Sequence, residues 1–299
     1  MVIKNKIIYQ KEIKNEADLW GKVAEKEFKK HPPDYSYYQK TFPYKIYRYP
    51  FVTKILSYIR PKSNVLELGG YNGWFSIEMA RKGAYIDTHD IAQGAINIAK
   101  KYYRKCKNKE KFTGTISYHI TDLNYPNFPK NTYDLVIIRN VLHHLINLEK
   151  LFYELNKSLK PNGLILIDDS LPCGKKEALI TGILLFLLPT DIPYSQKLQR
   201  IFKKGQILKR TQGLVDAKGT SPFEGISGAE SIEYLKSIFN INSFITYSAF
   251  IGSITAHIQL PLYIKLGFLK VLNSFDILLI KIGLLKGTSY FLLGKKLKI

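Results

Sequence analysis

Val65-Leu66-Glu67-Leu68-Gly69-Gly70-Tyr71-Asn72-Gly73-Trp74 decides how this chain is read. Apolar residues and one acid lead into a glycine-rich turn. Phe75, Ile77, Met79 and Ala80 then follow in a helical pattern. The stretch reads as a buried strand, a tight loop and a helix N-terminus. Glycine suits a loop whose backbone takes positive φ or comes close to a ligand, and the helix start behind it offers unpaired N–H groups. Glu67, at the strand end, would face a cation or a donor. That argues against a dinucleotide loop, which receives a pyrophosphate on the helix N-terminus.

Four more strands are expected downstream. Gly83 to Asp90 ends in an acid seventeen residues after Gly73, about the spacing at which a βαβ unit presents a carboxylate to a ribose. Ile116 to Thr121 is closed by Asp122-Leu123. Tyr133 to Ile138 is followed by Arg139-Asn140-Val141-Leu142-His143-His144. Leu164 to Asp169 follows the turn Pro161-Asn162-Gly163. Between the last two, Leu148, Leu151, Phe152, Leu155 and Leu159 form the apolar stripe of a helix covering a sheet. Strands alternating with helices predict a parallel sheet covered on both faces, with ligands at the carboxyl ends of its strands.

Over roughly residues 60–170 this series of motifs resembles the class I S-adenosylmethionine (SAM)-dependent methyltransferases, in the small-molecule, type 11-like branch. The resemblance implies an α/β fold: a doubly wound, Rossmann-like, seven-stranded sheet with an antiparallel last strand. It implies that Glu67, Gly69, Gly70 and Gly73 surround the methionine part of SAM. Asp90 would hold the ribose hydroxyls, Asp122 with Leu123 would contact the adenine, and Ile91, Arg139 and Asn140 would line the cofactor. The family usually has glycine where this chain has Tyr71, so that side chain must point away from the cofactor or the loop must differ.

Four regions are expected in a single domain: a helical N-terminal extension or cap (1–60), the SAM-binding core (61–170), a lid insertion (171–230) and a part completing the sheet (231–299). In the first, Asn15 to Lys30 reads as a helix burying Leu19, Trp20, Val23 and Phe28, and Pro50 to Ile59 as another. Tyrosines 35, 37, 38, 44, 47 and 49 either line an acceptor pocket or pack the extension onto the sheet. The lid opens with an apolar helix at Ala178–Leu188, too short to span a bilayer, followed by Lys197, Arg200, Lys203, Lys204, Lys209 and Arg210. Asn242 to Ile251 and Thr288 to Gly294 are the expected sixth and seventh strands. The apolar, lysine-punctuated Leu260–Leu285 between them either packs on the domain or rests on a membrane surface.

Composition bounds the rest. The 299 residues are 45% apolar, enough for a substantial core. The two cysteines, Cys106 and Cys173, make no disulfide framework, and no apolar run of signal length opens the chain. A reducing, cytoplasmic setting is expected. The net charge of +21 includes one dense run, Lys100 to Lys111. That run reads as a solvated helix end whose cations suit the macrodipole, or as a contact for phosphate or anionic lipid.

Methyl transfer from a sulfonium is an in-line displacement that needs positioning and exclusion of water. A hydroxyl or amine acceptor also calls for a base. His143 or His144 could serve, and Asp169 could orient an acceptor hydroxyl. No metal site is expected, because a catechol-type centre wants an acid where this chain has Asn140. A cytosine-C5 enzyme wants Pro-Cys after the fourth strand, and Cys173 follows the fifth. The favoured function is methyl transfer to an oxygen or nitrogen of a small-molecule or lipid/glycan-type acceptor, with peripheral membrane contact left open. The alternatives are an RNA methyltransferase, suggested by charge, and a non-catalytic methyltransferase-like interaction protein, suggested by Tyr71. Oligomeric state is left open.

Overall fold

The computed structural model describes residues 6–202, 221–223 and 229–297. Seven strands form one sheet: β1 Asn64–Leu68, β2 Tyr85–Asp90, β3 Thr115–Ile120, β4 Tyr133–Arg139, β5 Leu159–Ser170, β6 Phe239–Tyr247 and β7 Ser289–Lys296. Their spatial order is β3-β2-β1-β4-β5-β7-β6. The first five run parallel, and β7 lies antiparallel between β5 and β6. This is the expected seven-stranded sheet of a class I methyltransferase. The strand order reverses between β1 and β4, so a crevice opens at the carboxyl ends there.

The central strands are apolar because both faces are covered. Leu66, Leu68, Val136, Ile138, Ile165 and Ile167 point into one core with Phe152 and Leu155. Val65, Ile137 and Leu166 point into the other with Ile55, Ile77 and Met79. This is the period-two alternation of a strand, read here as a continuous apolar run. The covering helices are α1 Lys6–Lys30, a single turn α2 Tyr35–Tyr38, α3 Tyr49–Tyr58, α4 Trp74–Arg81, α5 Gln93–Lys109 and α6 Leu148–Ser158. Beyond β5 come α7 Lys175–Leu187, α8 Tyr194–Phe202, α9 Ala229–Ile238, α10 Ile251–His257 and α11 Leu262–Lys281.

Several boundaries differ from expectation, each for a physical reason. β6 occupies Phe239–Tyr247, three residues earlier than the sequence suggests, because its register is fixed by β7, with Phe239 opposite Lys296. Ser248, at φ 62°, ends the strand, and Ile251 already belongs to α10. At the start of β5 the left-handed turn residue is Asn162 (φ 67°), not Gly163. A Cβ on Gly163 would instead meet Leu159 Cδ2 at 2.8 Å. Helix α1 starts well before Asn15, and its most buried side chains are Tyr9, Glu16 and Ala24. Trp20 and Phe28 only flank that contact, packing against Ala92, Ala95 and Ile98 of α5 and the loop before it. Of the basic residues expected in a lid insertion, Lys203, Lys204, Lys209 and Arg210 lie outside the described residues. In the dense basic run, Lys107 Nζ donates to the carbonyls of Phe112 (2.7 Å) and Gly114 (2.9 Å), closing the end of α5.

Candidate functional site

The carboxyl ends of β1, β2, β3 and β4 converge on a cavity of about 280 Å³. Each strand delivers a polar group at or beside its carboxyl end: Glu67, Asp90, Asp122 and Arg139. Gly69, Gly70, Ile91, Leu123 and Asn140 also line it. Gly73, His143 and Asp169 are not among its walls.

The glycine loop is shaped by close packing. At Gly70 a Cβ would fall 2.0 Å from Thr88 Oγ1, so β2 itself excludes a side chain. Gly73 takes φ 79° as the residue before α4, and a Cβ there would meet Ala99 Cβ at 2.7 Å. Its role is to bring α4 against α5, which is why it stands outside the cavity. Tyr71 adopts φ 46°, the left-handed conformation that a glycine would take freely. Its amide donates to Asp90 Oδ2 at 2.8 Å, and its hydroxyl donates to Glu27 Oε2 at 3.1 Å. The ring meets Trp20 edge-on at 6.1 Å. The loop therefore closes as a glycine loop would, while the side chain ties it to α1.

Asp90 accepts from the amides of Tyr71 and Ala92, both at 2.8 Å. A carboxylate has about four acceptor sites, so capacity for hydroxyls remains. Burial pushes its pKa up, against those two bonds. Burial also raises Glu67, whose carboxylate accepts from Ser76. Asp122 folds back on its own turn, accepting from the Asn124 amide at 3.0 Å, and takes the Tyr9 hydroxyl at 2.5 Å.

Helix α1 supplies walls that the sequence did not single out. Glu16 and Trp20 line the cavity, and Trp20 Nε1 donates to Glu16 Oε1 at 2.7 Å. Glu16 also accepts from Ser221 Oγ at 2.6 Å and pairs with His144 Nδ1 at 3.2 Å. Burial alone would raise the Glu16 carboxyl, but the His144, Ser221 and Trp20 contacts outweigh it and hold it low. Tyr38 is the tyrosine of the extension that reaches the cavity, and its hydroxyl accepts from Asn72 Nδ2 at 2.7 Å. Nothing local in the sequence marks Glu16, one acid in a helix rich in Lys and Glu.

Two guanidiniums complete the lining. Arg139 lies over the rings of Phe75 (4.3 Å) and Trp74 (5.0 Å), with Nε 3.7 Å from Asp168 Oδ2. Burial pushes it down, and Asp168 works the other way. The Nε atoms of Arg139 and of Arg48 are buried and meet no hydrogen-bond acceptor.

Beside the cavity, Asp169 is fully buried. Its Oδ2 accepts from the amides of Val141 and Leu142, each at 2.8 Å, and its Oδ1 accepts from the Ser170 amide at 2.7 Å and contacts His143 Nδ1 at 2.5 Å. It shapes the turn after β4 and orients His143. Burial works against the charged form, but His143 and the backbone bonds hold the carboxyl below its usual range.

The chain matches the family model described as a methyltransferase domain over residues 39–204. It belongs to the methyltransferase domain family. A phosphoethanolamine N-methyltransferase of Plasmodium falciparum is 33% identical over 123 residues, 39% of this chain and 43% of that one. A ubiquinone/menaquinone biosynthesis C-methyltransferase of Hydrogenovibrio crunogenus is 30% identical over 115 residues, 38% of this chain and 44% of that one. The matched segment thus spans less than half the length of these relatives. In fold, the chain is similar to the geranyl diphosphate C-methyltransferase of Streptomyces coelicolor A3(2), solved with Mg2+, geranyl diphosphate and S-adenosylhomocysteine. The TM-score is 0.51 at 11% identity, covering 84% of this chain and 80% of that one. SAM is the cofactor this family implies, and the donor set fits it. Four carboxylates face two guanidiniums around the cavity, suiting a ligand with a sulfonium and an ammonium. The two Nε atoms that meet no hydrogen-bond acceptor suit its carboxylate. Among the described residues no group of His, Cys, Asp and Glu could hold a metal ion, and no helix is long and apolar enough to cross a membrane.

Proposed function

We propose that this protein is a SAM-dependent methyltransferase acting on an oxygen or nitrogen of a small-molecule or lipid-like acceptor. The observation that carries the proposal is the gathering of Glu67, Asp90, Asp122 and Arg139 around one cavity at the point where the strand order reverses. Bound SAM would supply a methyl group made electrophilic by its sulfonium. Asp90 would accept from the ribose hydroxyls, Asp122 and Leu123 would face the adenine, and Arg48 with Arg139 would receive the cofactor's carboxylate. Gly69, Gly70, Ile91 and Asn140 would border it.

His143 is the proposed general base. With Nδ1–H donated to the Asp169 carboxylate, the basic nitrogen of the ring is Nε2. Asp169 is then a positioning residue. His144 is the second candidate: it lines the cavity, which His143 only adjoins, and Glu16 and Ser221 engage its Nδ1 as Asp169 engages that of His143. Tyr71, the feature that suggests a non-catalytic fold, meets the conformational demand of its loop.

Calorimetric titration with SAM and S-adenosylhomocysteine, beside Asp90→Ala and Arg48→Met, tests the cofactor site. Each substitution is expected to weaken SAM by at least about tenfold, the worth of one to two charged hydrogen bonds. A folded wild type that binds neither ligand would refute the proposal. His143→Gln is expected to lower kcat and leave SAM affinity unchanged. Affinity for RNA that falls steeply with salt would favour the alternative suggested by charge.

A further inference from the structure

The two helical inserts of this domain are built inside out for a surface in water. Helix α7 follows β5, and α10 with α11 interrupts the β6–β7 hairpin. Their inner faces share one apolar cluster around Phe250, Ile254 and Leu269. A helix of a globular protein normally turns its charged residues to solvent and its apolar ones inward. Here the outer stripe of α11 and the residue after it carries Ile264, Val271, Phe275, Leu278 and Ile282, at offsets of 0, 7, 11, 14 and 18 residues. Val271 is 73% exposed, Phe275 53% and Leu278 50%. The outer stripe of α7 is Leu179, Ile183 and Leu187, with similar exposure.

The charges are distributed in the opposite sense. The acid of α11, Asp276, is completely buried and accepts the amides of Ala249 (3.1 Å), Phe250 (2.8 Å) and Ile251 (3.2 Å) at the start of α10. The acid of α7, Glu177, is buried as well and accepts the Lys286 amide at 2.7 Å. Lys175, Lys176, Lys270 and Lys281 stay exposed. The outer faces of both helices therefore present aliphatic and aromatic side chains with lysines and no carboxylate. Lys175 and Lys176 even stand in the first turn of α7, against the helix dipole.

From this arrangement we infer that α7 and α11 seat the protein on an anionic lipid surface. Apolar side chains would enter the headgroup boundary, and lysines would meet acidic headgroups. The charge selects this occupant over a second copy of the chain, because two such faces would bring lysine against lysine. The inference is independent of the methyl-transfer reading.

The test is co-sedimentation of the full chain with phosphatidylcholine vesicles, with or without about three-tenths phosphatidylglycerol. Wild type is expected to favour the anionic vesicles by at least roughly tenfold, a preference lowered by salt. Val271→Glu/Phe275→Glu/Leu278→Glu is expected to reduce that binding at least roughly tenfold, with an unchanged circular dichroism spectrum. Lys270→Gln/Lys281→Gln, which leaves the apolar face intact, is expected to reduce it by a similar factor. Wild type that stays in the supernatant would overturn the inference. So would a triple variant that binds as well as wild type, since the diffuse charge would then be responsible. Light scattering that shows self-association without lipid, abolished by the triple variant, would assign the face to a second copy instead.

Discussion

Gly21 and Gly94 meet where α1 crosses α5, and alanine is expected to act with opposite sign at the two. A Cβ on Gly94 would stand 2.9 Å from Gly21 Cα and 3.3 Å from its carbonyl carbon. Those are backbone atoms, so relief requires α1 to move away. Forced overpacking of this kind costs about 1–3 kcal/mol, against a gain of about 0.4–1 kcal/mol from replacing glycine by alanine in a helix. Gly94→Ala is therefore expected to lose about 1–2 kcal/mol. A Cβ on Gly21 would stand 3.4 Å from Gly94 Cα and 3.5 Å from its nitrogen, which is ordinary contact. Gly21→Ala keeps the propensity gain and is expected to add about 0.5 kcal/mol. Urea midpoints would resolve these changes better than melting, where 1 kcal/mol in a chain of this length is worth roughly 1.5 °C. Because α1 carries Glu16 and Trp20 to the cavity, Gly94→Ala should also weaken SAM binding severalfold, and Gly21→Ala should not. Changes of the same sign at both positions, or a Gly94→Ala protein with wild-type stability and SAM affinity, would refute the packing account.

Asp276→Ala strands three buried amides at the start of α10 and should cost about 2–4 kcal/mol by urea denaturation. Asp276→Asn keeps one oxygen for the Phe250 and Ile251 amides but turns its NH2 against the Ala249 amide, and should cost less than the alanine, about 1–2 kcal/mol. Burial, with His119 beside it, lowers the pKa of His89 from 6.5 to about 4. The unfolded chain therefore binds the proton more readily, and this contribution, complete above pH 6.5, is lost as pH falls toward 4, up to about 3 kcal/mol. His89→Asn should flatten stability against pH between 4 and 6.5, measured as urea midpoints. Tyr71→Gly relieves left-handed strain of about 1 kcal/mol and gives up the Glu27 bond and the Trp20 contact, worth about as much. Global stability should hardly change while limited proteolysis of α1 accelerates, and unchanged cleavage would show that Tyr71 does not tether the helix.

The strands were legible because their signals are local. Val65–Leu68 and Leu135–Ile138 are apolar runs closed by Gly69 and Arg139, and a buried parallel strand needs nothing more to be recognised. The acids at the strand ends, Glu67, Asp90 and Asp122, were legible for the same reason, and all three line the cavity. The boundary of β6 was not, because Phe239 and Tyr247 are set by pairing with Lys296 and Ser289 of a strand some fifty residues away. Gly73 and Asp169 sit in the right motifs, yet one is committed to helix packing and the other to backbone amides. Motif position alone cannot separate a group that faces a ligand from one that builds the loop behind it.

The sequence by itself determined the sheet and the place of the crevice. Periodicity, glycine and strand-end acids act over a few residues and carry the same meaning wherever they occur. Tertiary structure alone decided what encloses the crevice and what the inserts show to solvent. Glu16 meets Ser221 across 205 residues of chain, and Asp276 turns inward to cap α10, leaving lysine and apolar side chains outside. Those choices depend on which buried donor lies nearest once the chain has packed, and a buried carboxylate must find one because leaving it unpaired would cost several kcal/mol.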